Sequence, residues 1–178
     1  MLGAGYAEAF VEFVRSHREW ASAAVFILAF GESLVFVSLI LPFWAMLVGL
    51  GAVIGVGSSD FPVIWIAASF GAGLGDSVSY WIGFRLHNQV ARMWPMSRDP
   101  GLLARSKTFL DRYGVWAIVL GRFSGPLRAT VPFLAGAARM DQILFQIANW
   151  LSAFLWALVL LVFGGSIGLL FERFMSLF

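Results

Sequence analysis

LGRFSGPLRATVPFLAG, residues 120–136, sets two arginines, Arg122 and Arg128, in otherwise apolar sequence broken by Gly121, Gly125, Pro126, Pro132 and Gly136. An arginine in hydrocarbon costs roughly 3 kcal/mol on insertion scales, so such residues face a cavity, a partner or a pathway. Six residues apart on an unbroken helix, the two side chains would point to different sides, and the Gly125-Pro126 break lets both turn inward. The rest of the chain reads as the setting for these charges.

Of 178 residues, 60% are hydrophobic and 12% charged, about half the charged share of a soluble domain. The composition is that of an all-α polytopic membrane protein, one membrane domain over 1–178. With no cysteine there is no disulfide framework, thiolate metal site or catalytic thiol. His17 and His87 lack a second histidine with an adjacent carboxylate, so neither a metal nor a cofactor is expected and both read as interfacial polar residues.

The net charge is only +2, yet Arg85, Arg92, Arg98, Arg105, Lys107 and Arg112 supply half of the basic residues. They lie between two apolar blocks, which by the positive-inside rule puts the loop 85–112 in the cytoplasm. No base-stacking or groove-reading motif accompanies them, so nucleic acid is not an expected partner. On a helix from Leu102 to Tyr113 the basic residues oppose Leu102, Leu103, Ser106, Phe109, Leu110 and Tyr113, a pattern suited to anionic headgroups at a membrane surface.

At the start, no basic residue precedes an apolar run, so no cleavable signal peptide is expected. Tyr6, Ala9, Phe10, Phe13 and Val14 instead recur at helical spacing, as in an amphipathic surface helix. From Trp20 to Ser59 the only charge is Glu32, and the pattern predicts a helix to about Phe30 followed by a broken segment from Gly31 to about Gly57. Pro62 opens a span to about Phe84 in which Gly71, Gly73 and Gly75 precede Asp76; small residues there allow close helix packing. No strand precedes these glycines, which excludes a nucleotide loop. Residues 142–171 carry no charge and form a long final span, with a tail over 166–178.

The two halves correspond. Gly31-Glu32 is followed, ten residues after the acid, by Pro42-Phe43; Gly121-Arg122 is followed, ten residues after the base, by Pro132-Phe133. Each unit has an amphipathic helix before it and a spanning helix after it. Repeat 1 covers about 6–84, a basic segment 85–101, and repeat 2 about 102–165. Gly/Pro-interrupted hydrophobic segments at matching places in two halves mark a transporter site near the midplane. Traced through the bilayer, the two segments become re-entrant helical hairpins entering from opposite faces, an inverted repeat that brings Glu32 near Arg122.

The residues resemble the DedA family, related to the SNARE-associated Golgi or VTT-domain proteins, from about Phe30 to Trp156. The resemblance rests on Phe109, Gly114, Gly121-Arg122-Phe123, Pro126, Arg128, Pro132, Ala135-Gly136, Met140, Phe145, Asn149 and Trp156, together with Gly75-Asp76, Tyr80, Gly83 and Glu32 followed by Pro42. It implies two re-entrant hairpins, a bacterial inner membrane location and a part in moving lipids, undecaprenyl phosphate among them; distant relatives are scramblases. It also implies functional positions at Glu32, Asp76, Arg122 and Arg128. The family commonly reads Pro-Gly-acid where this chain reads Pro42-Phe43-Trp44, so the second hairpin acid is absent. Coupling then falls to Glu32 or Asp76, or transport is uncoupled.

Guanidinium offers phosphate a planar fork of donors, which makes Arg122 and Arg128 candidates for a lipid-phosphate headgroup. The structural alternative is that each balances an acid, Arg122 with Glu32 and Arg128 with Asp76. Glu32 and Asp76, the acids within apolar blocks, are candidates for proton exchange or charge balance. Asn149 is read as polar support across the bundle, and Trp44, Trp65, Trp81, Trp94, Trp116 and Trp150 as interface anchors or packing residues. The expected activity is a flippase for a lipid phosphate, with membrane lipids as partners and the oligomeric state, a homo-oligomer included, left open by the sequence. The alternatives are an uncoupled scramblase, a membrane-embedded lipid-phosphate enzyme and a scaffold. No nucleophile is paired with a base, so no catalytic residue is assigned.

Overall fold

The computed structural model describes residues 20–34, 60–87, 89, 100–124 and 127–175. Among them the chain forms α1 (Ala21–Ser33), α2 (Phe61–Leu86), α3 (Pro100–Tyr113), α4 (Trp116–Arg122), α5 (Leu127–Ala137) and α6 (Gln142–Met175), with no strand. The amino-terminal amphipathic helix with His17, the segment with Pro42 and Trp44, the basic residues Arg92 and Arg98, Trp94 and the Gly125-Pro126 break lie outside the described residues.

Among the described residues two helices, α2 and the 142–166 part of α6, are long and apolar enough to cross a membrane. At 1.5 Å per residue, the 26 residues of α2 extend about 39 Å against a hydrocarbon core of about 30 Å. Their outward faces are apolar. On α2 the large residues Val63, Ile66, Phe70, Leu74, Val78 and Trp81 are exposed, while Ala68, Gly71, Ala72, Gly75, Asp76, Ser79 and Gly83 are buried. An exposed apolar stripe of that length marks a surface that lipid or another protein covers, and small residues facing inward let helix backbones approach closely.

Close approach sets the directions of the helices. Gly71 faces the Phe26 carbonyl and Ala29 of α1, and Gly75 faces Phe30 and Ser33. Matched pairs that advance together make α1 and α2 parallel. Trp65 donates to the Phe154 carbonyl at 2.9 Å, Gly73 lies under the Trp150 ring, and Tyr80 stacks on Phe145, so α6 runs antiparallel to α2. From Ala117 and Ile118, which pack in the layer of Tyr80 and Phe145, α4 runs to Arg122 beside Asn149 and Ser152. It therefore runs parallel to α6. Next, α5 returns with Gly121 against Val131, and Gly136 meets the Tyr80 carbonyl on α2. A Cβ at Gly83 or Gly136 would overlap backbone of the facing helix, which fixes both positions as glycine.

The elements differ from expectation at their ends. Rather than stopping near Phe30, α1 includes Gly31 and Glu32, and the Leu34 N–H closes on the Gly31 carbonyl. Gly31 costs about 1 kcal/mol relative to alanine, which the packing of α1 on α2 offsets. Pro100 starts α3, two residues before the expected Leu102, since proline lacks only an N–H that the first turn leaves unused. The predicted apolar face of α3 buries Leu110 and half-buries Phe109, but Tyr113 is exposed beneath Arg112. Gly114 and Arg139, with φ of 52° and 56°, make the turns into α4 and out of α5.

Two apolar clusters form the interior. Ala21, Val25 and Ala29 of α1 pack with Ile64, Ala68 and Ala72 of α2 and with Ala153, Trp156, Ala157 and Leu161 of α6. Tyr80, Leu110, Ala117, Ile118, Val131, Phe133, Leu134, Ala135, Phe145 and Ala148 form the other. Along α2, Asp76 falls between them; along α6, Asn149 and Ser152 do. A polar layer thus separates two apolar ones.

Candidate functional site

That layer holds the five residues assigned to the site from the sequence, Glu32, Asp76, Arg122, Arg128 and Asn149. Glu32 (4% exposed), Asp76 (1%), Arg122 (3%) and Arg128 (5%) are all buried, as is Asn149. Each of the four charges lies within coulombic reach of the other three. Two positive and two negative charges therefore form one cluster with no formal excess of either sign.

The pairing is the reverse of the expected one. Arg122 Nη2 is bonded to Asp76 Oδ2, and Arg128 Nη1 to Glu32 Oε1. Helix direction is the cause. Because α1 is parallel to α2, its last turn comes alongside Ser79, whose hydroxyl donates to the Ser33 carbonyl at 3.0 Å. That end of α1 meets the first turn of α5, which carries Arg128, and Arg128 Nη2 donates to Ser33 Oγ at 3.2 Å. Arg122, at the end of α4, lies between α2 and α6 and takes the acid of α2. Glu32 and Arg122 lie within coulombic reach of each other but do not form the ion pair.

The surroundings of the two arginines differ. Arg122 Nε donates to Ser152 Oγ at 3.0 Å, and Nη2 donates to Asn149 Oδ1 at 2.6 Å and to the Asn149 carbonyl at 3.3 Å. Asn149 is held in turn: its Nδ2 donates to the Gly73 carbonyl at 2.9 Å and to Ser77 Oγ at 3.2 Å. Arg128 instead lies with its guanidinium carbon 3.8 Å from the centroid of the Trp156 ring. Pro132, inside α5, has no N–H for the Arg128 carbonyl four residues before it, so that turn lacks its helical hydrogen bond.

Unused capacity remains. Arg122 Nη1, Arg128 Nε and Glu32 Oε2 are buried without a hydrogen-bond partner among the described residues. Buried donors are nearly always satisfied, so unsatisfied ones of a charged group mark a place for a further acceptor. No group of His, Cys, Asp and Glu among the described residues is arranged to hold a metal ion.

Sequence reasoning missed Ser33, Ser152 and Trp156 as parts of this layer. Serine in a membrane helix usually closes on its own backbone, as Ser69 does on the Trp65 carbonyl, so the residue type carries no signal. Trp65 and Trp150 do act in packing, and Trp116 is 70% exposed, as an interface anchor would be. His87 lies outside the site, its Nε2 3.1 Å from Arg139 Nη2.

Comparison with known proteins gives the family of the chain. Residues 41–166 match the model of the VTT domain. The inner membrane protein YabI of Escherichia coli is 34% identical over 144 residues, covering 81% of this chain and 57% of YabI. An uncharacterized membrane protein of Buchnera aphidicola from Acyrthosiphon pisum is 33% identical, with 81% and 56% covered. The inner membrane protein YqjA of E. coli is 28% identical over 148 residues, with 81% and 66% covered. The chain thus spans between 56% and 66% of the length of these relatives. No solved structure matches it. With the match covering Asp76, both arginines and Asn149, the chain belongs to the VTT-domain family of membrane proteins, the DedA family.

Proposed function

We propose that the protein is a flippase for a phosphate-bearing lipid, with undecaprenyl phosphate the substrate that the family resemblance favours. The observation that carries this is the pair of buried arginines with spare donors, Arg122 Nη1 and Arg128 Nε, in one polar layer between two apolar clusters. A phosphate monoester brings charge and acceptors for both, while an isoprenoid tail stays in lipid along the apolar faces of α2 and α6.

The two acids compete with the phosphate. Protonation of Glu32 releases Arg128, and protonation of Asp76 releases Arg122; their deprotonation expels the headgroup. This gives proton coupling a route that needs no acid at Trp44. The hydroxyls of Ser33 and Ser152 face arginines rather than a base, which favours transport over hydrolysis.

Alternating access follows from inverted repeats. The parallel pairing of α1 with α2 and of α4 with α6, while α2 and α6 oppose each other, supports that symmetry. The return of α5 towards the end of α2 from which α4 set out supports a re-entrant hairpin. In this arrangement the basic loop faces the cytoplasm.

The test is reconstitution into liposomes carrying undecaprenyl phosphate. The wild-type protein moves the lipid between leaflets, and the Arg122→Ala, Arg128→Ala double variant does not. Unchanged flipping by the double variant overturns the proposal. A rate independent of pH removes only the coupling and leaves a scramblase.

A further inference from the structure

We infer that Trp156 is a positioning residue for Arg128, acting through the face of its indole ring; the inference rests on the transport function proposed above and deepens it. A guanidinium presents an edge of donors and two flat faces. At Arg128 the edge is turned to Glu32 and Ser33, with Nε left over, while one face lies on the Trp156 ring at 3.8 Å. The edge is where an acid and a phosphate compete. The face is a contact that neither disturbs.

When phosphate replaces Glu32, Arg128 passes from one anionic partner to another in a buried setting. The indole holds the plane of the guanidinium in place and stabilises its charge, because the ring face carries negative potential and the site is shielded from water. Arg122 has a different support: Ser152 and Asn149 grip its edge, and no aromatic ring stacks on it among the described residues.

Asn149, Ser152 and Trp156 are spaced by three and four residues, which puts them on one face of α6. Trp156 is itself fixed by the apolar cluster of α1, α2 and α6. One rigid helix thus carries the supports of both arginines and sets how far apart they stand. Trp156 is therefore placed to affect how tightly the headgroup is held more than how fast the protein turns over.

The test replaces Trp156 by site-specific incorporation of tryptophans bearing increasing numbers of fluorines, in the full chain reconstituted with undecaprenyl phosphate. Fluorine drains the ring face of negative potential and nearly preserves shape, so folding is kept. The expected result is a stepwise rise in KM, about tenfold across the series, with kcat little changed. In the Glu32→Gln background, where Arg128 has lost its charged partner, the rise is steeper. A flat KM across the series overturns the inference.

If the wild-type protein does not flip the lipid at all, the proposed function fails. The stacking is then read separately, from the Arg128 Nε–H resonance of isotope-labelled protein in nanodiscs. An indole ring current displaces that resonance in the wild type and the displacement disappears in Trp156→Leu. A resonance that does not move on substitution contradicts the stacking itself.

Discussion

Arg122 and Arg128 are six residues apart, equally buried and each paired with one acid, yet they are built into the protein in different ways. Around Arg122 the partners are Asp76, both oxygens of Asn149 and the Ser152 hydroxyl, and Asn149 is itself tied to Gly73 and Ser77 of α2. Around Arg128 they are Glu32, one serine and an aromatic face, on a helix turn from which Pro132 removes a backbone bond. Neutral groups hold Arg122 whatever the state of its acid. Arg128 depends mostly on Glu32 for its edge, so it is the arginine that an arriving phosphate recruits first.

Substitutions break this comparison in order of size. Arg122→Ala leaves Asp76 as a buried charge without its partner and costs about 3–5 kcal/mol, measured by unfolding in mixed detergent micelles. Arg128→Ala costs less, because fewer neutral partners are orphaned with Glu32. Equal losses at the two sites would remove the distinction. Adding Asp76→Asn to Arg122→Gln restores at least half of the stability lost by Arg122→Gln alone, since no unpaired buried charge remains, while flipping stays lost.

Smaller effects separate the two sides. Asn149→Leu removes one acceptor of Arg122 and two bonds to α2, at a cost of about 1–3 kcal/mol, with the Arg128 Nε–H resonance unmoved. Ser33→Ala costs about 1 kcal/mol or less and shifts that same resonance. Reversal of these two spectroscopic results would mean that the sites are coupled rather than separately built.

The charged members of the site were legible in the sequence because charge is scarce in an apolar chain. Glu32 is alone from Trp20 to Ser59, and Asp76 follows a run of glycines that allows α1 to approach α2. Their pairing was not legible. Matching Glu32 with Arg122 came from aligning the halves, and alignment says which positions are equivalent, not which ones touch. Contact depends on helix direction, and the parallel packing of α1 on α2 through Gly71 and Gly75 is a tertiary fact.

Other errors have the same origin. Gly31 looked like the end of α1, yet packing carried the helix on to Ser33 and brought Glu32 into the bundle. Trp156 was named from the sequence only as a position of the family resemblance, although its place seven residues after Asn149 put it on the same face of α6.

The most direct measurement is the dipolar coupling between lipid phosphorus and arginine side-chain nitrogens, recorded by solid-state NMR on the protein in bilayers with undecaprenyl phosphate. A flippase that uses this site gives phosphorus contacts at hydrogen-bonding range to the guanidinium groups of both Arg122 and Arg128. They weaken when the lipid is replaced by its uncharged alcohol. Phosphorus contacts confined to the surface arginines of α3, with none to Arg122 or Arg128, would contradict it.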